Sequence, residues 1–249
     1  MSSHPVAVIT GGAGGIGAEI CRTLATAGFR VAVGYHRSAE GASTLVTQLE
    51  GSGHQALALP VTDSQALQAA AKQIETEWGR CDVLVNCAGT TRFVAHGDLD
   101  GLDDALIDEI LSVNIRGPFA TARAFRALLT RSCLEGGGVI VNISSTAAQL
   151  AIGSNVMYCA SKAALDNMTR SLSRALAPKI RVVSVSPGLV DTEFVKSMDP
   201  AWRTEQANRT PLLRLSEPAE IGRAVLCTIT QLTFTTGSVI LVDGGRMLG

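Results

Sequence analysis

The sequence predicts an α/β fold, a doubly wound parallel sheet of about seven strands with helices on both faces, in one domain over residues 1–249. Three observations predict it. Short β-branched runs alternate with longer Ala- and Leu-rich segments. Most of those runs are apolar throughout, as strands covered on both faces are. Aromatic residues make up only 4% of the chain, so the core is built from Ala, Val, Leu and Ile, which suits helices on a buried sheet.

In chain order, strands are expected at Val6–Thr10, Arg30–Tyr35, Gln55–Leu59, Val83–Asn86, Val139–Ser144, Arg181–Ser186 and Val239–Val242. The helices between them are expected at Gly15–Gly28, Ser38–Ser52, Ser64–Trp78, Asp103–Thr130, Asn155–Ala177 and Glu217–Ile229. Asp63 stands directly before an Ala-, Leu- and Gln-rich run and reads as a helix cap; Pro218 sits at a first helical turn. Such alternation closes by right-handed crossovers. Asp191–Arg214, with Pro200 and Pro211, is the one irregular region. Ligands bind beyond the carboxyl ends of the strands in these sheets, so a long segment there is expected to be a substrate lid.

Charge is balanced, 21 basic against 22 acidic residues, without the basic stripe that a nucleic-acid partner requires. The start, MSSHPVAVIT, has no cationic leader, and no apolar run reaches the roughly 18–20 residues of a membrane span, so neither a signal peptide nor a membrane partner is expected. Six cysteines and four histidines are dispersed without CxxC pairs. Free thiols, no metal site and a reducing, cytoplasmic compartment are the expectation.

The first strand runs into Thr10-Gly11-Gly12-Ala13-Gly14-Gly15-Ile16-Gly17, after which a helix begins. Glycines remove the Cβ atoms that would collide with a pyrophosphate, and the helix start offers free N–H groups and a positive dipole end. Thr10, Gly11, Gly14, Gly15, Ile16 and Gly17 are therefore candidate dinucleotide contacts in a Rossmann-type sheet. A carboxylate some 20 residues further on would hold a ribose 2′-hydroxyl and favour NAD. Here the second strand ends Tyr35-His36-Arg37-Ser38, without an acid. Arg37 suits a 2′-phosphate, with His36 and Ser38 as further donors, so NADP(H) is favoured and NAD(H) is the alternative.

Tyr158 and Lys162 are four apart at the start of a helix and share one face. A phenol ordinarily titrates near pH ~10; a nearby ammonium favours the phenolate and makes the pair a proton donor with its tuner. Upstream, the strand Val139–Ser144 leads into Ser145, a hydroxyl at a carboxyl end facing the ligand crevice.

These motifs, in this order, resemble the short-chain dehydrogenase/reductase family over essentially the whole chain. The family's glycine turn stands at Thr10–Gly17, its Asn-Asn-Ala-Gly motif at Asn86-Cys87-Ala88-Gly89, its Pro-Gly turn at Pro187-Gly188 followed by Val190 and Thr192, and its closing motif at Val242-Asp243-Gly244-Gly245. The resemblance implies a catalytic set of Asn114, Ser145, Tyr158 and Lys162. It implies cofactor contacts from Asn86, Ala88, Gly89, Tyr158, Lys162, Pro187, Gly188, Val190 and Thr192. Pro60 stands where a family carboxylate or amide often meets adenine, which leaves the Val61 backbone N–H for that role. In the implied reaction NADPH reduces a small ketone, of the 3-oxoacyl-thioester type, to a secondary alcohol. Tyr158 donates the proton, Ser145 binds the carbonyl oxygen, Lys162 holds the nicotinamide ribose, and Asn114 holds a water linking Lys162 to solvent. Cys87 replaces the motif's second Asn, a packing change and not a nucleophile.

The substrate pocket is expected from Ala147, Gln149, Ile152, Met157, Leu189, Val190 and Phe194, with Thr91 and Arg92 at its rim. Pairing of the long helices Asp103–Thr130 and Asn155–Ala177, common in the family, implies a homotetramer or homodimer. Rival readings are an NAD-linked secondary-alcohol or sugar dehydrogenase, a pteridine-type reductase (suggested by Lys162–Arg170 and Thr235–Met247 but missing that group's Arg at Gly15), and a non-catalytic cofactor-binding scaffold.

Overall fold

A computed structural model describes residues 4–248. Strand β1 (Val6–Thr10) leads to helix α1 (Gly15–Thr26), β2 (Arg30–Tyr35), α2 (Ala39–Gln48), β3 (Gln55–Ala58), α3 (Ser64–Trp78) and β4 (Val83–Asn86). The second half runs α4 (Asp104–Leu111), α5 (Gly117–Leu129), β5 (Gly138–Ile143), α6 (Ala147–Leu150), α7 (Val156–Leu176) and β6 (Ile180–Pro187). It closes with α8 (Glu193–Lys196), α9 (Pro200–Asn208), α10 (Pro218–Thr230) and β7 (Val239–Val242). The seven strands are parallel in the order β3-β2-β1-β4-β5-β6-β7, the doubly wound arrangement expected from the alternation.

Two apolar cores form, one on each face of the sheet. Ile20, Leu24, Ile221 and Val225 bring α1 and α10 onto one face. Leu67, Ile74, Phe125 and Leu129 bring α3 and α5 onto the other, with α7 packed over β6. The register sets Thr10 beside Asn86 and Asn86 beside Asn142, so the central strands end level. The strand order reverses between β1 and β4, which opens a crevice at those ends.

The helix expected over Asp103–Thr130 is interrupted. A π-helical turn, Ser112–Arg116, separates α4 from α5. Pro118 lacks the N–H that would bond the Asn114 carbonyl, and its ring crowds that carbonyl, so the helix widens there. Asp191–Arg214 is not irregular but holds α8 and α9: Pro200 sits at the first position of α9, and Asp199 Oδ1 accepts the Trp202 N–H at 2.9 Å. Asp63 caps α3 through the N–H groups of Gln65 and Ala66. The helix expected over Ser38–Ser52 stops at Gln48, where Leu49 turns extended.

Candidate active site

The turn after β1 is built for close approach. Gly11 has φ +64°, and a Cβ there would lie 2.9 Å from the Ala88 Cα; a Cβ on Gly17 would lie 2.2 Å from the Gly11 carbonyl oxygen. Helix α1 starts beyond this turn with no side-chain cap and no acidic residue in its first turn, which leaves its first N–H groups for an anion. Thr10 Oγ1 accepts the N–H groups of Cys87 and Ala88, both at 3.1 Å, and so ties the end of β1 to the segment after β4. A Cβ on Gly15 would meet Thr192 Cγ2 at 3.1 Å, so the base of the 191–214 segment abuts the glycine turn. This cradle fits a dinucleotide pyrophosphate. At the end of β2, His36, Arg37 and Ser38 are exposed, and among the described residues Arg37 has no ion-pair partner.

Four of the predicted side chains converge beyond β4 and β5. Lys162 is buried, its Nζ donating to the Ile143 carbonyl at 2.8 Å and lying 5.7 Å from the centre of the Tyr158 ring. Ser145 follows two residues after Ile143, and its Oγ accepts the Ala147 N–H at 3.2 Å. Asn114 is clamped: its Oδ1 accepts from Thr90 N at 2.9 Å, and its Nδ2 donates to Thr90 O at 3.0 Å and to Ser161 Oγ at 3.1 Å. A Cβ on Gly89 would lie 3.5 Å from Asn114 Oδ1 and 3.8 Å from Lys162 Nζ, so the Gly89 backbone passes between the two.

A buried chain of amides and hydroxyls runs beneath. Thr121 donates to Asn86 Oδ1 (2.6 Å), Asn86 to Asn142 Oδ1 (2.8 Å), Asn142 to Thr169 Oγ1 (2.8 Å), and Thr169 meets Ser184 at 2.8 Å. Asn86 therefore braces the floor beneath the expected cofactor contacts. Val61 packs its side chain against Gly117. Cys87 is an inert thiol: burial pushes it up to about 11 against the opposing field of Lys162.

The expected pocket lining is only partly assembled. Met157 packs with the buried cluster Val94, Leu106 and Ile110. Leu189 lines a separate cavity of about 210 Å³ with Thr210, Leu212 and Asp243. Ala147 and Val190 are buried, while Ile152 and Phe194 stand exposed, as does Phe93, which was not predicted. Arg92 is engaged with Asp103 at 3.2 Å and the Gly101 carbonyl at 3.1 Å, so it braces its loop. Sequence reasoning missed Asn155 as a site residue. Its Oδ1 caps α7 at Tyr158 N, and its Nδ2 donates to the Arg92 carbonyl at 2.8 Å. The signal was present, an Asn at the helix start three residues before Tyr158.

A family model described as enoyl-(acyl carrier protein) reductase matches residues 11–246. The chain belongs to the short-chain dehydrogenase/reductase family. Among its relatives is a Streptomyces violaceoruber protein named as a ketoacyl reductase of the granaticin polyketide synthase, 36% identical over 98% of this chain and 96% of that one. Another is D-threitol dehydrogenase from Mycolicibacterium smegmatis, 35% identical over 96% of this chain and 92% of that one. Gluconate 5-dehydrogenase from Burkholderia cenocepacia, solved in complex with NADP and tartrate, superposes with a TM-score of 0.89 at 28% identity, covering 100% of this chain and 97% of that one. This short-chain dehydrogenase/reductase thus has relatives named for both carbonyl reduction and polyol oxidation. Among the described residues no helix is long and apolar enough to cross a membrane, and no group of His, Cys, Asp and Glu is arranged to hold a metal.

Proposed function

We propose that this chain is an NADP(H)-dependent carbonyl reductase that turns a ketone of the 3-oxoacyl type into a secondary alcohol. The observation that carries the reading is Lys162, buried and fixed to Ile143 O beside the Tyr158 ring at the mouth of the dinucleotide crevice. Bound NADPH supplies the hydride. Tyr158 gives its proton to the developing alkoxide, and Ser145 Oγ binds the carbonyl oxygen. The Lys162 ammonium favours the phenolate that remains and holds the nicotinamide ribose; water at the Asn114 carbonyl returns the proton from solvent. Thr10, the glycine turn, the Val61 N–H, Ala88, Gly89 and Pro187–Thr192 hold the rest of the dinucleotide. Arg37, with His36 and Ser38, reads the 2′-phosphate, and Tyr35 borders the adenosine.

Phe93, Ile152 and Phe194 are exposed apolar side chains, the last two on segments expected to line the substrate pocket, and they favour an apolar substituent next to the carbonyl over a polyol. The test is NADPH consumption with 3-oxoacyl thioesters and simple ketones, set against NAD+ reduction with polyols. Turnover only with NAD+ and polyols would replace this reading with the sugar-dehydrogenase one. No turnover of either, with cofactor bound, would make the protein a scaffold. We further propose a cytoplasmic homotetramer. The six cysteines are all free, as a reducing compartment keeps them. A monomer by light scattering would remove the assembly.

A further inference from the structure

Two buried polar groups lie outside the machinery just described. Asp166 is 3% exposed, and neither carboxylate oxygen has a hydrogen-bond partner; Ser186 is 0% exposed, and its hydroxyl has none. Asp166 shares the α7 stripe of Thr169, and Ser186 the β6 face of Ser184, and those two neighbours meet across the α7–β6 contact at 2.8 Å. These elements run antiparallel, because β6 begins within four residues of the end of α7. The Thr169–Ser184 bond of 2.8 Å fixes their register. Asp166 lies three residues before Thr169, about 4.5 Å back along the helix. Ser186 lies two residues after Ser184, on the same strand face and about 6.6 Å on. The two therefore stand at nearly the same level, at the open end of the buried chain that runs Thr121, Asn86, Asn142, Thr169, Ser184. An internal water between them is the simplest donor for both.

A buried carboxylate also needs a compensating charge. Strands β5 and β6 face this level with Ser144, Asn142, Ser184 and Ser186, all uncharged, and α6 carries no charge. The charged residues of α4 and the π turn, Asp104, Asp108, Glu109 and Arg116, are exposed, as is Arg170 on α7. Of the two buried cations among the described residues, Arg181 sits at the start of β6 and is spent on carbonyls at the end of α10, whereas Lys162 lies four residues before Asp166 on the same helix stripe. We propose that Asp166 is a positioning residue, a buried counter-charge to Lys162 that acts through it on how readily Tyr158 gives up its proton. The inference rests on the Tyr158–Lys162 reading of the site.

The sign is fixed by Coulomb's law. A negative charge near the pair makes both the phenol and the ammonium hold their protons more tightly. Removing it makes both release them at lower pH. The chain has two tyrosines, Tyr35 and Tyr158, so tyrosinate absorbance in a Tyr35→Phe background reports Tyr158 alone, without substrate. In that background Asp166→Asn is expected to move the absorbance rise to lower pH by about half a unit or more. In the enzyme the loss of ketone reduction at high pH should move the same way. Asp166→Ser serves equally if the Asn variant fails to fold. An absorbance rise that stays in place, with only the melting temperature changed, would overturn the proposal and leave Asp166 a structural acid. The spectrum does not depend on turnover, so a failed substrate screen and a failed counter-charge remain distinguishable.

Discussion

Asn155 Oδ1 accepts the backbone N–H of Tyr158 at 2.7 Å, while the same side chain donates to the Arg92 carbonyl and to Thr91 Oγ1. One buried amide thus sets where α7 begins and ties the loop after β4 to the residue proposed to donate the proton. Asn155→Ala is expected to lose the cap, about 1 kcal/mol, and to leave the Arg92 carbonyl without its donor at a further cost of about 1–3 kcal/mol. Calorimetry should show a clear fall in melting temperature. Turnover should fall more than cofactor affinity. Asn155→Asp keeps the cap acceptor and should recover part of the stability but little of the turnover; an Ala variant with unchanged kcat would mean that Tyr158 is positioned otherwise.

Tyr158→Phe removes only the hydroxyl. NADPH binding, followed by fluorescence, should be nearly unchanged, and turnover should drop by about 10²–10⁴-fold. Near-normal turnover would remove Tyr158 as the proton donor.

Both residues show how far the sequence could be read. The sheet was legible because a strand covered on both faces must be apolar along its run, as Val6 to Ile9 and Val83 to Val85 are. The glycine turn and the Tyr158–Lys162 pair were legible because their chemistry depends on spacing along the chain. The π turn at Ser112–Arg116 was not, because Pro118 near the start of α5 could end a helix or merely widen it. Nor were the Asn114–Thr90 clamp, the Arg92–Asp103 pair or the packing of Met157, since each depends on how distant segments meet.

Arg37→Ala tests cofactor choice. A guanidinium with no ion-pair partner among the described residues has its charge free for a 2′-phosphate, and a charge-assisted bond of that kind contributes roughly 1.5–3 kcal/mol. The Kd for NADPH should rise by about 10–100-fold while that for NADH changes little. Equal losses for both would mean that Arg37 does not read the phosphate.

Arg181 concerns stability alone. It is 6% exposed and donates to the carbonyls of Gly136, Thr228, Ile229, Leu232 and Thr235 at 3.0–3.3 Å, so it closes the end of α10 without any carboxylate. Burial lowers its hold on its proton, and the negative end of the helix dipole opposes that effect. Arg181→Met fills a similar volume but leaves those carbonyls without a donor. Denaturant titration should show a loss of at least about 3 kcal/mol, well above the effect of a surface substitution. A loss under about 1 kcal/mol would mean that water replaces the guanidinium there.

The anchoring of the 191–214 segment should depend on pH through Glu220. Arg214 bonds both carboxylate oxygens of Glu220 at 2.7 Å, and the Glu217 N–H donates to Oε2 at 2.9 Å. The Arg214 guanidinium, then the Glu217 N–H, hold Glu220 well below its ordinary 4.5, at about 2. A carboxyl depressed on folding stabilises the native state fully above its unfolded value. That contribution fades as pH falls through the window from 4.5 to about 2, where the folded protein takes up the proton that the unfolded chain has already bound. Wild type and Glu220→Gln should therefore differ most in melting temperature above pH 4.5 and converge toward pH 2. A difference of the same size at the acid end would show that Glu220 acts through shape and hydrogen bonding, with its charge contributing nothing to how the 191–214 segment is held.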